Sequence, residues 1–378
     1  MDHVFLGSIL AFIITFSAIP IIIRVAEYKN LLDFPDDRKI HNYPIASLGG
    51  IGIFAGFVFS ILISLPFGAP EMQYLLAAFL VIFFIGIKDD IIILTASKKF
   101  LGQIVAAGIL VFKGNIMITG MHGFLGIEEI PQAVAIVFTF FTIVVITNSF
   151  NLIDGVDGLA GTLGLFSTFV FGSYFFLANE PFYAVLAFSM CSAILAFLIF
   201  NVAPAKIFMG DTGSLLLGIV NAILVIKFIG IATLPNATLP LPAAPAIGFA
   251  ILFVPLFDTL RIFAYRVLHR RSPFSPDKNH VHHLLLEKGC THPAVVFIAI
   301  SFNILIAAAT YFLHFLGNTA LLLSLIGTGF TSIGLLIYSN RSARLKFLEK
   351  AFSKKQEGGG LKVINIEKEN ELRKTGEG

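Results

Sequence analysis

The sequence predicts an all-α integral membrane protein of about 11 transmembrane helices, with the N-terminus outside and the C-terminus cytoplasmic. Three observations predict it. Of 378 residues, 57% are hydrophobic and only 13% are charged, about half the charged share of a soluble domain. The apolar residues gather into long runs. The basic residues fall almost entirely in alternate connections between those runs.

Several classes are excluded at once. A water-soluble fold cannot hide this much apolar surface, so a soluble enzyme is ruled out. The two cysteines are Cys191, in an apolar run, and Cys290, in a polar loop. They rule out a disulfide scaffold or a Cys-rich zinc module. A net charge of +3 is too small to indicate nucleic acid, which is not an expected partner.

The elements follow in order. A spanning helix needs about 20 mostly apolar residues. The segments are 4–23, 48–65, 72–87, 100–112, 131–147, 158–178, 181–200, 213–229, 244–268, 293–315 and 319–338. The fourth and eighth are short and should extend into their flanks. The first follows Met-Asp-His rather than a basic stretch, so it is read as a span and not a cleaved signal. With the N-terminus outside, 24 of the 26 Lys and Arg residues lie in inside loops, at the inner end of the ninth segment or in the tail. That bias sets orientation. Inside loops and the tail also carry most of the Asp, His and Asn, which puts the chemistry on the cytoplasmic face. Residues 1–339 read as one polytopic catalytic domain and 340–378 as a polar, flexible cytoplasmic tail.

Four clusters occupy that face. Lys88-Asp89-Asp90 ends the third segment, with Lys98 and Lys99 before the fourth. Adjacent carboxylates beside hydrocarbon are costly; they suit a cation and phosphates, or simply a hydrated helix end. In NSFNLIDGVDG, Asn148, Asn151, Asp154 and Asp157 recur every third residue. Neighbouring members lie side by side on a helix, and a 3₁₀ turn would align all four. Asp211 lies between two glycines in FMGDTGS, either as a helix cap or as a metal ligand. The loop RRSPFSPDKNHVHHLLLEKG holds Arg270, Arg271, Asp277, His280, His282 and His283. It lacks HExxH and a nearby Cys partner, which favours an anion site over zinc; solvated surface histidines are the plainer alternative. A lesser basic group, Arg38, Lys39 and His41, precedes the second segment.

Carboxylates with glycines favour Mg²⁺, a hard cation that takes oxygen ligands and bridges phosphates, with Mn²⁺ as the alternative. Lys and Arg favour a phosphorylated co-substrate, and a site at the membrane edge favours a lipid as the second. The residues therefore read as Mg²⁺-dependent phosphoryl transfer from a nucleotide-type donor to a lipid acceptor. A transporter is the rival class, but its polar groups belong near the midplane, with internal symmetry. No repeat is visible here.

DD at 89–90 with KFLGQ at 99–103, NSFNLIDGVDGLAG at 148–161, FMGDTGS at 208–214 and PFSPDKNHVHHLLL at 273–286 together resemble the polyprenyl-phosphate N-acetylhexosamine-1-phosphate transferases. They occur in the family's order across nearly the whole membrane region. HxHH and eleven helices are similar to the UDP-GlcNAc branch rather than the UDP-MurNAc-pentapeptide branch. The resemblance implies transfer of GlcNAc-1-phosphate from a UDP-sugar donor to undecaprenyl phosphate, a polyprenyl-phosphate acceptor, releasing UMP. This is the first membrane step of a cell-envelope polysaccharide pathway at the bacterial cytoplasmic membrane. Another UDP-N-acetylhexosamine or UDP-MurNAc-pentapeptide are alternative donors, and a homodimer is an option for assembly.

Residue by residue, it implies that Asp211 is the Mg²⁺ ligand. Asp89 and Asp90 are the catalytic pair, with Lys99 near the phosphates. Asn148, Asn151, Asp154 and Asp157 line the nucleotide and metal pocket, the two aspartates counting as catalytic. Phe208 stacks on uracil. His280 and the catalytic His282 and His283 belong to the sugar-diphosphate loop with Arg270 and Arg271, and Lys39 and His41 are weaker substrate contacts. Direct attack by the acceptor and a two-step route through a phospho-aspartate both remain open.

Overall fold

A computed structural model describes residues 2–33, 44–65, 71–270 and 280–357, with side chains through Ser339. Lys39, His41 and Arg271 lie outside the described residues. Two compact units divide the chain, Met1–Phe330 and Thr331–Gly378. The described part of the second unit is helix.

Thirteen α-helices are described: α1 (Asp2–Lys29), α2 (Gly49–Ser64), α3 (Met72–Ile91), α4 (Ala96–Phe112), α5 (Gln132–Ile153), α6 (Leu159–Leu177), α7 (Pro181–Asn201), α8 (Gly210–Ala232), α9 (Ala244–Ile251), α10 (Phe253–Leu268), α11 (Val281–Glu287), α12 (His292–Phe312) and α13 (Gly317–Glu357). Two short antiparallel ribbons join them, β1 (Leu32–Asp33) with β2 (Ile45–Ala46) and β3 (Gly120–Phe124) with β4 (Ile127–Glu129). The protein is an all-α membrane protein.

Each of the eleven predicted segments coincides with a helix, and the ninth is split into α9 and α10. By length and composition, seven helices can cross a membrane, or eight when α9 and α10 count as one broken span. That is fewer than the predicted eleven. Helices α2 and α4, with 16 and 17 residues, are short for a crossing. The fourth and eighth segments do extend into their flanks, and the fifth runs on to Ile153.

Helix α8 is the centre of the bundle. Every residue from Thr212 to Ile226 is buried, as expected of a helix that is apolar all round. It packs against α2, α3, α5 and α6. Its first turn is approached closely because two neighbours offer glycine. A Cβ on Gly50 of α2 would collide with the Gly213 backbone, and one on Gly86 of α3 with that of Thr212. Three helix ends thereby converge at one end of the bundle. Ala46 pairs with Ile207, and the Gly49 and Gly50 amides donate to the Phe208 and Met209 carbonyls, at 3.0 and 2.8 Å.

Helices α9 and α10 meet at Leu252 with a bend of 87°. A broken helix frees backbone groups that hydrocarbon cannot solvate. Asn303 of α12, fully buried, satisfies them. Its Oδ1 accepts from the Val254 amide at 2.9 Å, and its Nδ2 donates to the Ile251 carbonyl at 2.8 Å. The break sets the direction of α10, which carries Asp258.

Candidate active site

The converging ends of α3, α5 and α8 place the acidic residues together. Asp89 and Asp90 occupy the last turn of α3, and Asp211 the first turn of α8. The two α3 neighbours diverge. Asp90 turns to α8: its Oδ1 accepts from the Asp211 amide at 2.7 Å, and its Oδ2 from the Thr212 amide at 3.1 Å and the Thr212 hydroxyl at 2.6 Å. A carboxylate there satisfies otherwise orphaned donors and meets the positive end of the helix dipole. Asp89 instead accepts from the Leu94 amide at 2.6 Å and pairs with Lys99 Nζ at 2.7 Å.

The capping alternative for Asp211 is thus taken by Asp90, across the helix interface. The Asp211 side chain is directed elsewhere. Its Oδ2 pairs with Lys99, and its Oδ1 accepts from Asn151 Nδ2 at 2.9 Å. Lys99 therefore joins the carboxylates of α3 and α8.

The four polar residues of the NSFNLIDGVDG run separate rather than sharing one line, because α5 ends at Ile153. Asn148 lies one turn too deep and exchanges hydrogen bonds with the buried Gln103, at 2.7 and 3.2 Å. Asn151 reaches Asp211. Asp154, just past the helix end, faces the acidic cluster. Burial, then the charges of Asp211, Asp90 and Asp157, push its carboxyl up to about 8. Asp157 accepts from the Ala205 amide at 3.2 Å and lies 3.4 Å from His292 Nδ1.

An open cavity of about 430 Å³ joins these groups. Asp89, Asp90, Asn151, Asp154, Asp157, Phe208, Asp211, His283 and His292 are among its lining residues. Of the remaining predicted residues, Lys99 stands beside it through its two ion pairs. Asn148, His280 and His282 are not among its lining residues, and Arg270 lies exposed just past α10. His282 is 2% exposed and packs on the turn after α5; a Cβ at Gly155 would sit 2.6 Å from its Nε2. Burial first, then the neighbouring His283 and His280, lower its pKa to about 3, so this ring is neutral at physiological pH.

Sequence reasoning missed Asp258, His292 and Gln103. Asp258 carried a signal, as the one carboxylate in the apolar run 244–268; such a residue is costly and needs a partner. Gln103 carried its place at the end of KFLGQ but no assigned role, and His292 carried no signal beyond its residue type.

Among the described residues, no three carboxylate, imidazole or thiolate groups are arranged to hold a metal ion. The donor chemistry at Asp211 nonetheless fits Mg²⁺. Hard oxygens of Asp211 and Asp154 face one cavity, whereas a softer ion would want thiolate or imidazole.

Residues 72–229 match the model of glycosyl transferase family 4. A Bacillus subtilis (strain 168) protein, described as a probable undecaprenyl-phosphate N-acetylglucosaminyl 1-phosphate transferase, is 32% identical over 305 residues, covering 79% of this chain and 82% of that one. The chain belongs to the polyprenyl-phosphate N-acetylhexosamine-1-phosphate transferase family. The transferase is also 32% identical over 317 residues to decaprenyl-phosphate N-acetylglucosaminephosphotransferase of Mycobacterium tuberculosis (strain ATCC 25618 / H37Rv), across 78% of each chain. An undecaprenyl-phosphate alpha-N-acetylglucosaminyl 1-phosphate transferase of Escherichia coli (strain K12) is 29% identical over 273 residues, 71% of this chain and 72% of that one. The family model spans the first three motif clusters of the transferase and ends before its histidine loop.

Proposed function

We propose that this transferase moves GlcNAc-1-phosphate from UDP-GlcNAc to undecaprenyl phosphate, releasing UMP, with Mg²⁺ as cofactor. The observation that carries the reading is the Asp211 carboxylate. It faces an acidic cavity at the end of a membrane bundle while its neighbour Asp90 does the capping. The names of the three relatives support a GlcNAc-phosphate donor and a polyprenyl-phosphate acceptor. The basic-residue bias supports eleven spans, the N-terminus outside and the cavity facing the cytoplasm, in a bacterial cytoplasmic membrane.

In this reading the acceptor phosphate oxygen attacks the sugar-bearing phosphorus. One P–O bond forms, the bond to the UMP oxygen breaks, and UMP leaves as an anion. A phosphate monoester has a second pKa of about 6, so the acceptor is largely deprotonated at neutral pH and a strong general base is unnecessary. Positioning and charge neutralisation then dominate. Lys99 supplies positive charge between α3 and α8, Phe208 lines the cavity where the nucleotide would lie, and Asp157, His283 and His292 line it around the diphosphate. Asp211 and Asp154 would hold Mg²⁺, which when bound offsets diphosphate charge. Direct attack is favoured over a phospho-Asp90 intermediate, because both Asp90 oxygens already serve α8.

One phosphoanhydride is broken and one made, so the reaction should run backwards. Excess UMP added to the lipid-diphosphate product should regenerate UDP-GlcNAc. Absence of back-reaction would rule out direct exchange and point to another donor or leaving group.

A further inference from the structure

We propose that Asp258 and His280 form a buried strut that presents His283 to the cavity, and that His280 acts on the reaction only through this strut. The inference rests on the transferase reading and assigns a positioning role to a residue that no motif contains.

Asp258 of α10 is 1% exposed and His280 is 4% exposed. Asp258 Oδ2 lies 2.7 Å from His280 Nδ1. Its Oδ1 accepts from the Val281 amide at 3.1 Å and from Arg261 at 2.8 Å. An ionised carboxylate only accepts, so Nδ1 carries the proton and the tautomer of His280 is set. One side chain thus holds the ring of residue 280 and the backbone of residue 281.

Position passes along from there. The rings of His280 and His282 are nearly parallel, 12° apart in plane, with centroids at 5.7 Å. The His282 and His283 centroids are 4.3 Å apart. His282 is wedged against Gly155, next to Asp154. Of the three histidines, His283 is the one among the cavity's lining residues. The histidine run therefore divides into an anchor, a spacer and a group that meets substrate. Asp258 owes its own place to the α9–α10 break that Asn303 holds.

Asparagine and glutamine at position 280 separate a strut from a substrate contact. Asn places an amide N–H near the position of Nδ1, whereas Gln places it one bond farther out. The His280→Asn variant should keep at least about a third of wild-type kcat/KM for UDP-GlcNAc, and His280→Gln should lose more than about tenfold, in the range seen for groups that orient a functional ligand. Neither should change the KM for undecaprenyl phosphate. Asp258→Asn combined with His280→Gln should be no worse than the poorer single variant, because the two residues act as one unit. Equal impairment of His280→Asn and His280→Gln would overturn the proposal in favour of direct substrate contact. Near-wild-type activity in both, or additive losses in the double variant, would also overturn it.

Melting temperatures are read on the same preparations, with His280→Gln expected below His280→Asn. That contrast tests the strut even if the wild-type protein shows no transfer, an outcome that would defeat the proposed reaction instead. Equal melting of the two would count against the strut.

Discussion

Asp90 and Asp211 are the same residue type at facing helix ends, yet they hold different places. Asp90 is committed to the α8 amides, and Asp211 is directed into the cavity. Substituting asparagine should separate them. Asp211→Asn should lose more than about tenfold in turnover, over ~1.4 kcal/mol of barrier, with little change in melting temperature. Asp90→Asn keeps one acceptor and loses the other, so it should also lower stability by about 1 kcal/mol, the usual cost of a lost cap. Thermal melts and turnover on the two proteins check this; a stability loss confined to Asp211→Asn would reverse the assignment. Asp154 adds a pH signature. Its carboxyl lies at about 8 instead of 3.8, so folding favours its neutral form. The stabilisation is full below 3.8 and is lost as pH rises towards 8. In metal-free buffer, the melting temperature should fall between pH 5 and 8 (an interval inside that window) more steeply in wild type than in Asp154→Asn. Equal slopes would contradict the raised value. Sequence singled out Asp211 without deciding its role, because a cap and a ligand look alike before an apolar run. The competing cap came from a residue 121 positions away, a distance no local pattern spans.

At the scale of elements, apolar runs made the long helices legible, but the close approaches at Gly50 and Gly86 that bring their ends together appear only in the structure. The break in 244–268 was not legible. Pro255 lies beyond it, and the bend at Leu252 is held by Asn303 from another helix. The strict three-residue spacing of Asn148 to Asp157 put neighbouring members side by side, on one line only if the turn were 3₁₀. The end of α5 at Ile153 divides them, leaving Asn148 to Gln103 and sending Asp154 into the cavity. The α9–α10 break gives a direct test. Asn303→Leu removes the partner of the Val254 amide and the Ile251 carbonyl in a setting without water. Each buried orphan costs about 1–3 kcal/mol, so the detergent-solubilised variant should melt well below wild type and lose activity as α10 shifts. Unchanged melting would show that the break needs no support from α12.

For the whole molecule, composition and the placement of Lys and Arg told more than any motif about class, and the motifs told more about chemistry. By length and composition seven or eight helices can cross a membrane, and α2 and α4 are apolar but short, so the count of eleven rests on the basic-residue pattern. The histidine loop was legible as a unit but not in its parts, since burial of His280 and His282 depends on Asp258 and Gly155. What unites the molecule in the proposed reading is a transfer between a soluble donor and a lipid acceptor at one end of a helical bundle. The most direct test is UMP release by the purified protein in detergent, given UDP-GlcNAc and undecaprenyl phosphate, with and without Mg²⁺. The account predicts UMP and lipid-diphosphate GlcNAc in equal amounts, formed only when donor, acceptor and Mg²⁺ are all present. UMP formed without the acceptor, transfer undiminished by a metal chelator, or no UMP from the complete mixture would contradict it.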